Sequence, residues 1–113
     1  MLLDEPALVC KSQREVSLLP LSQVVWLQAQ DKYVIAHCPG KQRLLDDSLL
    51  TLERRFAAQL LRVHRNALIS RERFQGMRRG TNNRWYAVLA ESDEPPQISR
   101  RCLTQLRQLL EQA

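Results

Sequence analysis

Cysteine, glycine and aromatic residues are scarce in this sequence, and their scarcity excludes several classes of protein. The three cysteines show no C-x-x-C spacing, so neither a disulfide framework nor a zinc module is indicated. The three glycines are too widely spaced for a phosphate-cradling loop or a dinucleotide-binding fingerprint. Cys38 and the histidines His37 and His64 lack the glycine-rich turn that a nucleophilic site would need. We therefore predict that the chain is not an enzyme and takes no metal ion or cofactor.

Long apolar runs are also missing. No stretch approaches the roughly 20 consecutive apolar residues of a membrane span, and the N-terminus lacks the basic and apolar segments of a signal peptide. Together with the unpaired cysteines, this favours a cytoplasmic location without membrane contact. The length of 113 residues is that of one domain. We place this domain at residues 7–113, after an N-terminal tail or expression remnant at residues 1–6.

Basic charge is what the sequence has in excess. Seventeen Lys and Arg residues oppose twelve Asp and Glu residues, and only three of the basic residues are lysines. Arginine presents a planar fork that suits phosphate oxygens and guanine edges. Between residues 54 and 84, where the only acid is Glu72, nine arginines occur: Arg54, Arg55, Arg62, Arg65, Arg71, Arg73, Arg78, Arg79 and Arg84. This concentration indicates a basic face and favours a polyanionic partner.

The order of the predicted elements indicates a mostly β fold. Short β-branched or alternating runs predict strands near residues 7–10, 16–19, 24–27, 33–38, 42–45, 61–64, 67–70, 74–78 and 84–90. One short central helix is predicted after Asp47 or Ser48, and a C-terminal helix after Ser99, because these residue types are good N-caps. The order contains neither a βαβ alternation nor the pattern of a helix-turn-helix domain.

Two of the predicted bends between strands carry basic residues. Lys32 lies in a polar turn, where its side chain is suited to a phosphate or a base. Arg62, Arg65 and Asn66 lie at a second turn, and Arg and Asn are the residues that recognise guanine and adenine edges. The alternatives are an ordinary exposed lysine at the first bend and, at the second, an Asn66 that only supplies turn geometry. For His64 we favour a hydrogen bond to neighbouring backbone.

A third group of cations stands at the start of the C-terminal helix. Arg100 and Arg101 occupy its first turn, where the helix dipole disfavours positive charge. A phosphate or a base edge at that place would make the same arrangement favourable, because backbone N–H groups and guanidinium groups would converge on one acceptor. The alternative is two solvated arginines on a surface turn.

Three segments together resemble the LytTR-type DNA-binding domain, the output module of LytR/AlgR response regulators, and the alginate-regulator branch in particular. Residues 61–69, LRVHRNALI, are similar to that family's R-[VI]-H-R-[SN]-x-L-[VI] signature. Residues 98–101, ISRR, followed by an amphipathic helix, resemble its V-S-R-R/K stretch. Residues 24–34 resemble its pair of strands joined by a polar turn. Ser70 departs from the family, which often has Asn at that position.

The resemblance implies short antiparallel sheets in an elongated arrangement and recognition of double-stranded DNA by loops. In this family, loop residues enter two successive major grooves and the minor groove between them. Carried over by position, Lys32 would serve one major groove, and Arg65 with Asn66 the central minor groove or its phosphates. Arg101, helped by Arg100, would serve the other major groove. The expected function is therefore that of a transcription regulator in a two-component system.

Further expectations concern partners. No receiver domain is predicted within these residues, so the chain is either an excised output domain or a freestanding regulator, and self-association on tandem DNA sites is expected from the resemblance. Arg62 is predicted to contact a phosphate. The alternatives from the residues alone are a protein-interaction or dimerisation module with an acidic partner, and an RNA-binding β domain. The few aromatic residues do not alternate with basic ones, which disfavours single-stranded RNA.

Overall fold

Two antiparallel sheets and two helices form the chain in a computed structural model that describes residues 5–92 and 94–112. The predicted tail at residues 1–6 falls mostly outside the described residues. The strands are β1 (Ala7–Lys11), β2 (Val16–Pro20), β3 (Trp26–Gln30), β4 (Tyr33–Cys38), β5 (Lys41–Leu45), β6 (Leu60–His64), β7 (Ala67–Ser70), β8 (Phe74–Arg79), β9 (Trp85–Leu89) and β10 (Gln97–Ile98). The helices are α1 (Leu49–Arg55) and α2 (Arg100–Glu111), and a 3₁₀ turn spans Leu21–Gln23.

The larger sheet contains seven strands in the order β2-β1-β5-β4-β3-β7-β6, and the smaller sheet contains three in the order β10-β9-β8. All pairings are antiparallel, and most join strands that are neighbours in sequence. The mostly β prediction is confirmed. Two small elements differ from it: the 3₁₀ turn and β10 were not predicted, because three and two residues are too few to show a periodic pattern.

Turn chemistry explains two of the hairpins. Pro39 and Gly40 connect β4 to β5, and Gly40 adopts a left-handed φ of 74°, which glycine takes without steric cost. Asp31 and Lys32 connect β3 to β4, and Asp31 has a φ of 52°. Aspartate tolerates this conformation better than most residues because its short polar side chain can bond locally. The second hairpin therefore closes in two residues, with Lys32 at its tip.

The helices begin where the sequence predicts. Ser48 is the N-cap of α1, and its hydroxyl accepts a hydrogen bond from the backbone N–H of Thr51 at 3.1 Å. Ser99 is the N-cap of α2 by its extended backbone, but its side chain makes no cap hydrogen bond. Leu52 and Leu106 are the residues of α1 and α2 that lie deepest in the protein, each at most 1% exposed.

Two hydrophobic clusters lie on opposite faces of the larger sheet. The first packs α1 against one face and includes Leu8, Leu27, Leu45, Leu49, Leu52, Phe56 and Leu68. The second packs the smaller sheet and α2 against the other face and includes Trp26, Leu61, Val63, Ile69, Ala87, Ile98 and Leu106. Strands β6 and β7 contribute residues to both clusters, so side chains pack against both faces of these two strands. The molecule is elongated, with extents of 42 × 29 × 25 Å.

Candidate nucleic-acid interface

The β6–β7 turn and the β3–β4 turn lie side by side at one end of the larger sheet. Strand β7 pairs with β3 from Gln28 opposite Ala67 onward. One residue further along, the N–H of Ala29 donates to the carbonyl of Asn66 at 2.9 Å. Ala29 itself is only two residues from the Asp31-Lys32 turn. Backbone pairing thus brings Lys32, Arg65 and Asn66, all of them exposed, to the same edge.

The start of α2 joins this edge through a bulge in β6. The register of β6 against β7 shifts between Arg62 and His64, which leaves Val63 out of the ladder. The carbonyl of Val63 instead accepts a hydrogen bond from the N–H of Ser99 at 2.8 Å. Ser99 immediately precedes Arg100 and Arg101, whereas Val63 is two residues before Arg65. The bulge therefore ties the first residues of α2 to the β6–β7 turn.

These contacts define what we call the basic edge, which consists of Lys32, Arg65, Asn66, Arg100 and Arg101. All five residues are exposed. Within residues 5–92 and 94–112, no hydrogen bond or ion pair engages any of their side chains. Five of the six residues predicted from the sequence to contact DNA are thus gathered at one edge with their polar groups available.

His64 has a local structural role in the β6–β7 turn. Its Nδ1 accepts a hydrogen bond from the backbone N–H of Asn66 at 3.2 Å. The expected bond between His64 and neighbouring backbone is confirmed, and it helps to fix the turn that carries Arg65.

Arg62, the sixth predicted residue, is engaged inside the protein. Its Nε and Nη2 donate to one carboxylate oxygen of Glu53 at 3.1 and 2.7 Å. Its Nη1 donates to the backbone carbonyl of Arg65 at 2.8 Å and lies 3.5 Å from that of His64. Only 25% of its side chain is exposed. The guanidinium of Arg62 therefore faces the body of the β6–β7 turn, unlike the cations of the basic edge.

Two further arginines of the long basic stretch lie at the opposite end of the β6–β7 hairpin from the basic edge. Arg71 and Arg73 follow Ser70, whose partner Leu60 lies at the end of the hairpin remote from the basic edge. Arg73 is held there by the carboxylate of Glu91 at 3.2 Å and the carbonyl of Ser22 at 2.7 Å. The sequence suggested a single basic face. This prediction is only partly correct, because Arg71 and Arg73 lie at the opposite end of the β6–β7 hairpin from the basic edge.

Arg84 is a further basic residue near the edge that sequence reasoning did not select. It lies in the β8–β9 turn, beside a groove of about 470 Å³ that this turn forms with α2. Arg84 and Arg100 both line the groove, together with Asn82, Trp85 and Leu103. The Asn-Asn-Arg turn was visible in the sequence, but its proximity to α2 depends on the pairing of β9 with β10, which was not predicted.

No helix in the described part of the chain is both long and apolar enough to span a bilayer. Over the same residues, no three His, Cys, Asp or Glu side chains are grouped closely enough to hold a metal ion.

The sequence model of the family described as "LytTr DNA-binding domain" matches residues 14–111. The chain belongs to the LytTR family of DNA-binding domains. The matched range includes every residue of the basic edge, and the resemblance noted from the three sequence segments is confirmed.

Two known proteins are similar to this LytTR domain, one in sequence and one in fold. The positive alginate biosynthesis regulatory protein of Pseudomonas aeruginosa is 34% identical over 104 residues, which is 90% of this chain and 42% of that protein. The solved LytTr DNA-binding domain of a methyl-accepting/DNA response regulator from Bacillus cereus superposes with a TM-score of 0.78 at 19% identity. That superposition covers 94% of this chain and 97% of the other. The LytTR domain thus spans less than half of its curated relative, and the second likeness shows the fold.

Proposed function

We propose that this LytTR domain binds double-stranded DNA sequence-specifically, as the output domain of a bacterial transcription regulator in the cytoplasm. Two turns of the larger sheet and the first turn of α2, rather than a helix laid along a groove, would contact the bases. The observation that carries the proposal is the basic edge: two backbone hydrogen bonds, Ala29 to Asn66 and Val63 to Ser99, bring exposed basic residues from three separate bends to one end of the sheet. Such a cluster of exposed cations is suited to phosphates and base edges.

The dimensions of the molecule support contact with more than one groove. Successive major grooves on one face of B-DNA are separated by one helical turn, about 34 Å. The longest extent of the domain is 42 Å. A domain of this length is long enough to span one major groove and the next when its long axis lies along the duplex.

Each residue of the basic edge has a proposed role. Lys32, at the tip of its two-residue turn, serves one major groove. Arg65 and Asn66 serve the central minor groove or its phosphates, because Arg inserts into narrow minor grooves. Arg101, helped by Arg100, serves the second major groove by a bidentate contact to guanine. An anion near Arg100 and Arg101 would also offset the unfavourable position of two cations at the start of α2.

Arg101→Ala is the variant that tests the proposal. We expect it to weaken binding to a specific duplex by about 1–3 kcal/mol and to relax the preference at one base pair, because a bidentate base contact is lost. Titrations with the specific duplex and with a scrambled duplex would measure both effects. Arg71→Ala removes the same charge from an exposed residue at the end of the β6–β7 hairpin remote from the basic edge and serves as the matched control.

The outcomes separate the proposal from its alternatives. Equal loss on both duplexes would assign Arg101 to the phosphate backbone instead of a base. Preference for single-stranded RNA over duplex DNA in a competition titration would favour the RNA-binding alternative. Lack of binding to any duplex at low salt would favour a protein-interaction module.

The remainder of the regulator is also a matter of proposal. The chain covers 42% of its relative from Pseudomonas aeruginosa, and we propose that these residues contain no receiver domain. Binding of two copies to tandem sites stays a prediction. Sedimentation of the chain with a duplex carrying one or two sites would measure it.

A further inference from the structure

We propose that Glu53 is a positioning residue for DNA binding, which acts through Arg62 to hold the β6–β7 turn in the shape that presents Arg65 and Asn66. The inference rests on the proposed function. It assigns to an acidic side chain a favourable effect on the binding of a polyanion. It also assigns Arg62 to the support of the turn instead of to a phosphate.

The geometry forms a continuous chain of contacts from helix to turn. One oxygen of Glu53 accepts two hydrogen bonds from Arg62, from Nε at 3.1 Å and from Nη2 at 2.7 Å. The remaining Nη1 of Arg62 donates to the carbonyl of Arg65 at 2.8 Å. Because a guanidinium is planar and rigid, fixing one side by Glu53 also fixes the direction of Nη1. The carbonyl of Arg65 is thereby held by Arg62, while the side chain of Arg65 stays exposed.

The contacts are sheltered enough to have an effect. The side chains of Arg62 and Glu53 are only 25% and 34% exposed. Hydrogen bonds of this length between charged groups are stronger than hydrogen bonds between neutral groups. Partial burial also reduces the screening of the two charges by salt. By contrast, the exposed pair of Lys11 and Asp46 is 3.7 Å apart, with both side chains more than half exposed.

The helix that carries Glu53 is a firm support. Ser48 caps α1 through the N–H of Thr51, and Leu49 and Leu52 anchor it in the first hydrophobic cluster. Glu53 follows Leu52, which is completely buried, so its backbone has little freedom. The turn of Arg65 lies in a bulged hairpin, where the ladder is interrupted at Val63. The clamp from α1 supplies a restraint close to the point where the ladder is interrupted.

Two explanations of Glu53 predict effects of opposite sign. If Glu53 were only a negative charge near the DNA, Glu53→Ala would tighten binding, because repulsion of phosphates is removed. If Glu53 holds the turn through Arg62, the same change weakens binding. We expect the dissociation constant for a specific duplex to rise about five- to tenfold, which is the size of a coupled contact.

The experiment uses the 113-residue chain and fluorescence anisotropy with two labelled probes. One probe is a pool of random duplexes of roughly 30 base pairs, about three helical turns, and the other is the duplex most enriched from that pool. Asp46→Ala is the matched control, since it removes one acid near the same end of the sheet that is paired only loosely. The control is expected to bind as tightly as the unmodified chain or slightly more tightly.

Variants of Arg62 separate support from direct contact. Arg62→Lys keeps the charge but loses the fork between Glu53 and Arg65. A phosphate contact would survive this change, whereas the clamp predicts a loss similar to that of Glu53→Ala. The double variant Glu53→Ala/Arg62→Ala is expected to bind no more weakly than Arg62→Ala alone, because both changes break one unit. Tighter binding by Glu53→Ala, or additive losses in the double variant, would overturn the proposal.

A measurement without DNA keeps this inference distinct from the proposed function. Amide hydrogen exchange at Asn66 is expected to be about tenfold faster in Glu53→Ala than in Asp46→Ala, because the turn opens more readily without its support. Thermal unfolding of each variant shows whether the whole fold is affected. Unchanged exchange at Asn66 refutes the clamp even when the chain binds DNA. Faster exchange in a chain that binds no duplex refutes the proposed function and the role of Glu53 in it, while leaving the structural clamp intact.

Discussion

His37 lies against Trp26, with ring centroids 4.2 Å apart and the rings nearly parallel. Its Nε2 is 2.9 Å from the side-chain oxygen of Gln28, and its Nδ1 is 3.5 Å from the amide nitrogen of Gln42. Burial lowers the pKa of His37 below its ordinary value of 6.5, against a smaller opposing effect of Glu94. The folded chain therefore favours the neutral imidazole.

The lowered pKa of His37 has a consequence for stability against pH. The unfolded chain takes up a proton near pH 6.5 while the folded chain does not, so the free energy of unfolding falls as the pH drops below that value. We expect the unmodified chain to lose more thermal stability between about pH 7.5 and 5.5 than His37→Phe, which keeps the aromatic stack without a titrating group. Unfolding temperatures of both chains at the two pH values test this. A parallel decline would show that His37 does not contribute.

At the residue level, the sequence indicated where basic residues lie better than it indicated which side chains they bond. Lys32 and Arg65 were selected as basic residues at turns that are suited to phosphates and bases, and Arg101 as a cation in the first turn of a helix, where the dipole disfavours it. Arg62 belongs to the same short segment as Arg65, yet its side chain bonds to Glu53, which is nine residues earlier and on another element. A side-chain partner across elements depends on the packing of α1 beside β6, and no local pattern contains that information.

At the level of the elements, α1 shows how a short helix is kept in place. Seven residues are too few for a stable isolated helix, so tertiary packing must supply the stability. Leu52 is fully buried in the first cluster, whereas Leu50, in the same helix, is 50% exposed. The two leucines provide a matched comparison with identical helix propensity.

Leu52→Ala is expected to destabilise the protein by about 2–5 kcal/mol, because it leaves a cavity beneath α1. Leu50→Ala is expected to change the free energy of unfolding by no more than about 0.5 kcal/mol, as is usual for exposed positions. Urea titrations followed by tryptophan fluorescence would measure both. Similar losses for the two variants would contradict the packing of α1 described above.

Element boundaries were predicted well where turn chemistry was explicit. Pro39-Gly40 and the cap Ser48 placed β4, β5 and α1 close to their observed bounds. The run from Val24 to Leu27 was predicted as a strand, but β3 begins at Trp26, since the N–H of Val24 bonds to the carbonyl of Leu21 in the 3₁₀ turn. The bulge at Val63, which links α2 to the β6–β7 turn, leaves no trace in the hydrophobic pattern because Leu61 and Val63 still alternate normally.

At the scale of the whole molecule, the order of the strands brings basic residues that are far apart in sequence to one end of the larger sheet. The antiparallel pairing that the sequence and the family resemblance predicted is confirmed, whereas the residues that contact DNA stay a prediction. The sequence and the resemblance did not predict that β3 lies between β4 and β7, and this position brings the Lys32 turn beside the Arg65 turn. The separation of Arg71 from Arg65 follows from the register of the β6–β7 hairpin, whose two ends carry these residues.

Binding at the basic edge must depend steeply on salt. Each phosphate that is neutralised lowers the slope of log K against log salt by about 0.9. We expect Arg65→Ala to reduce the magnitude of this slope by about one unit. Arg71→Ala, at the end of the β6–β7 hairpin remote from the basic edge, is expected to leave the slope unchanged. Titrations at several salt concentrations provide the slopes. A larger effect of Arg71→Ala would place the DNA at the wrong end of the sheet for this account.

Selection of bound duplexes from a random library tests the central claim most directly. A domain that uses three bends at one edge to contact two major grooves should enrich a motif with two preferred segments, their centres about 10 base pairs apart. The Arg101→Ala chain should recover the same motif with one of the two segments weakened. Recovery of sequences without any common motif, despite tight binding, would contradict the account.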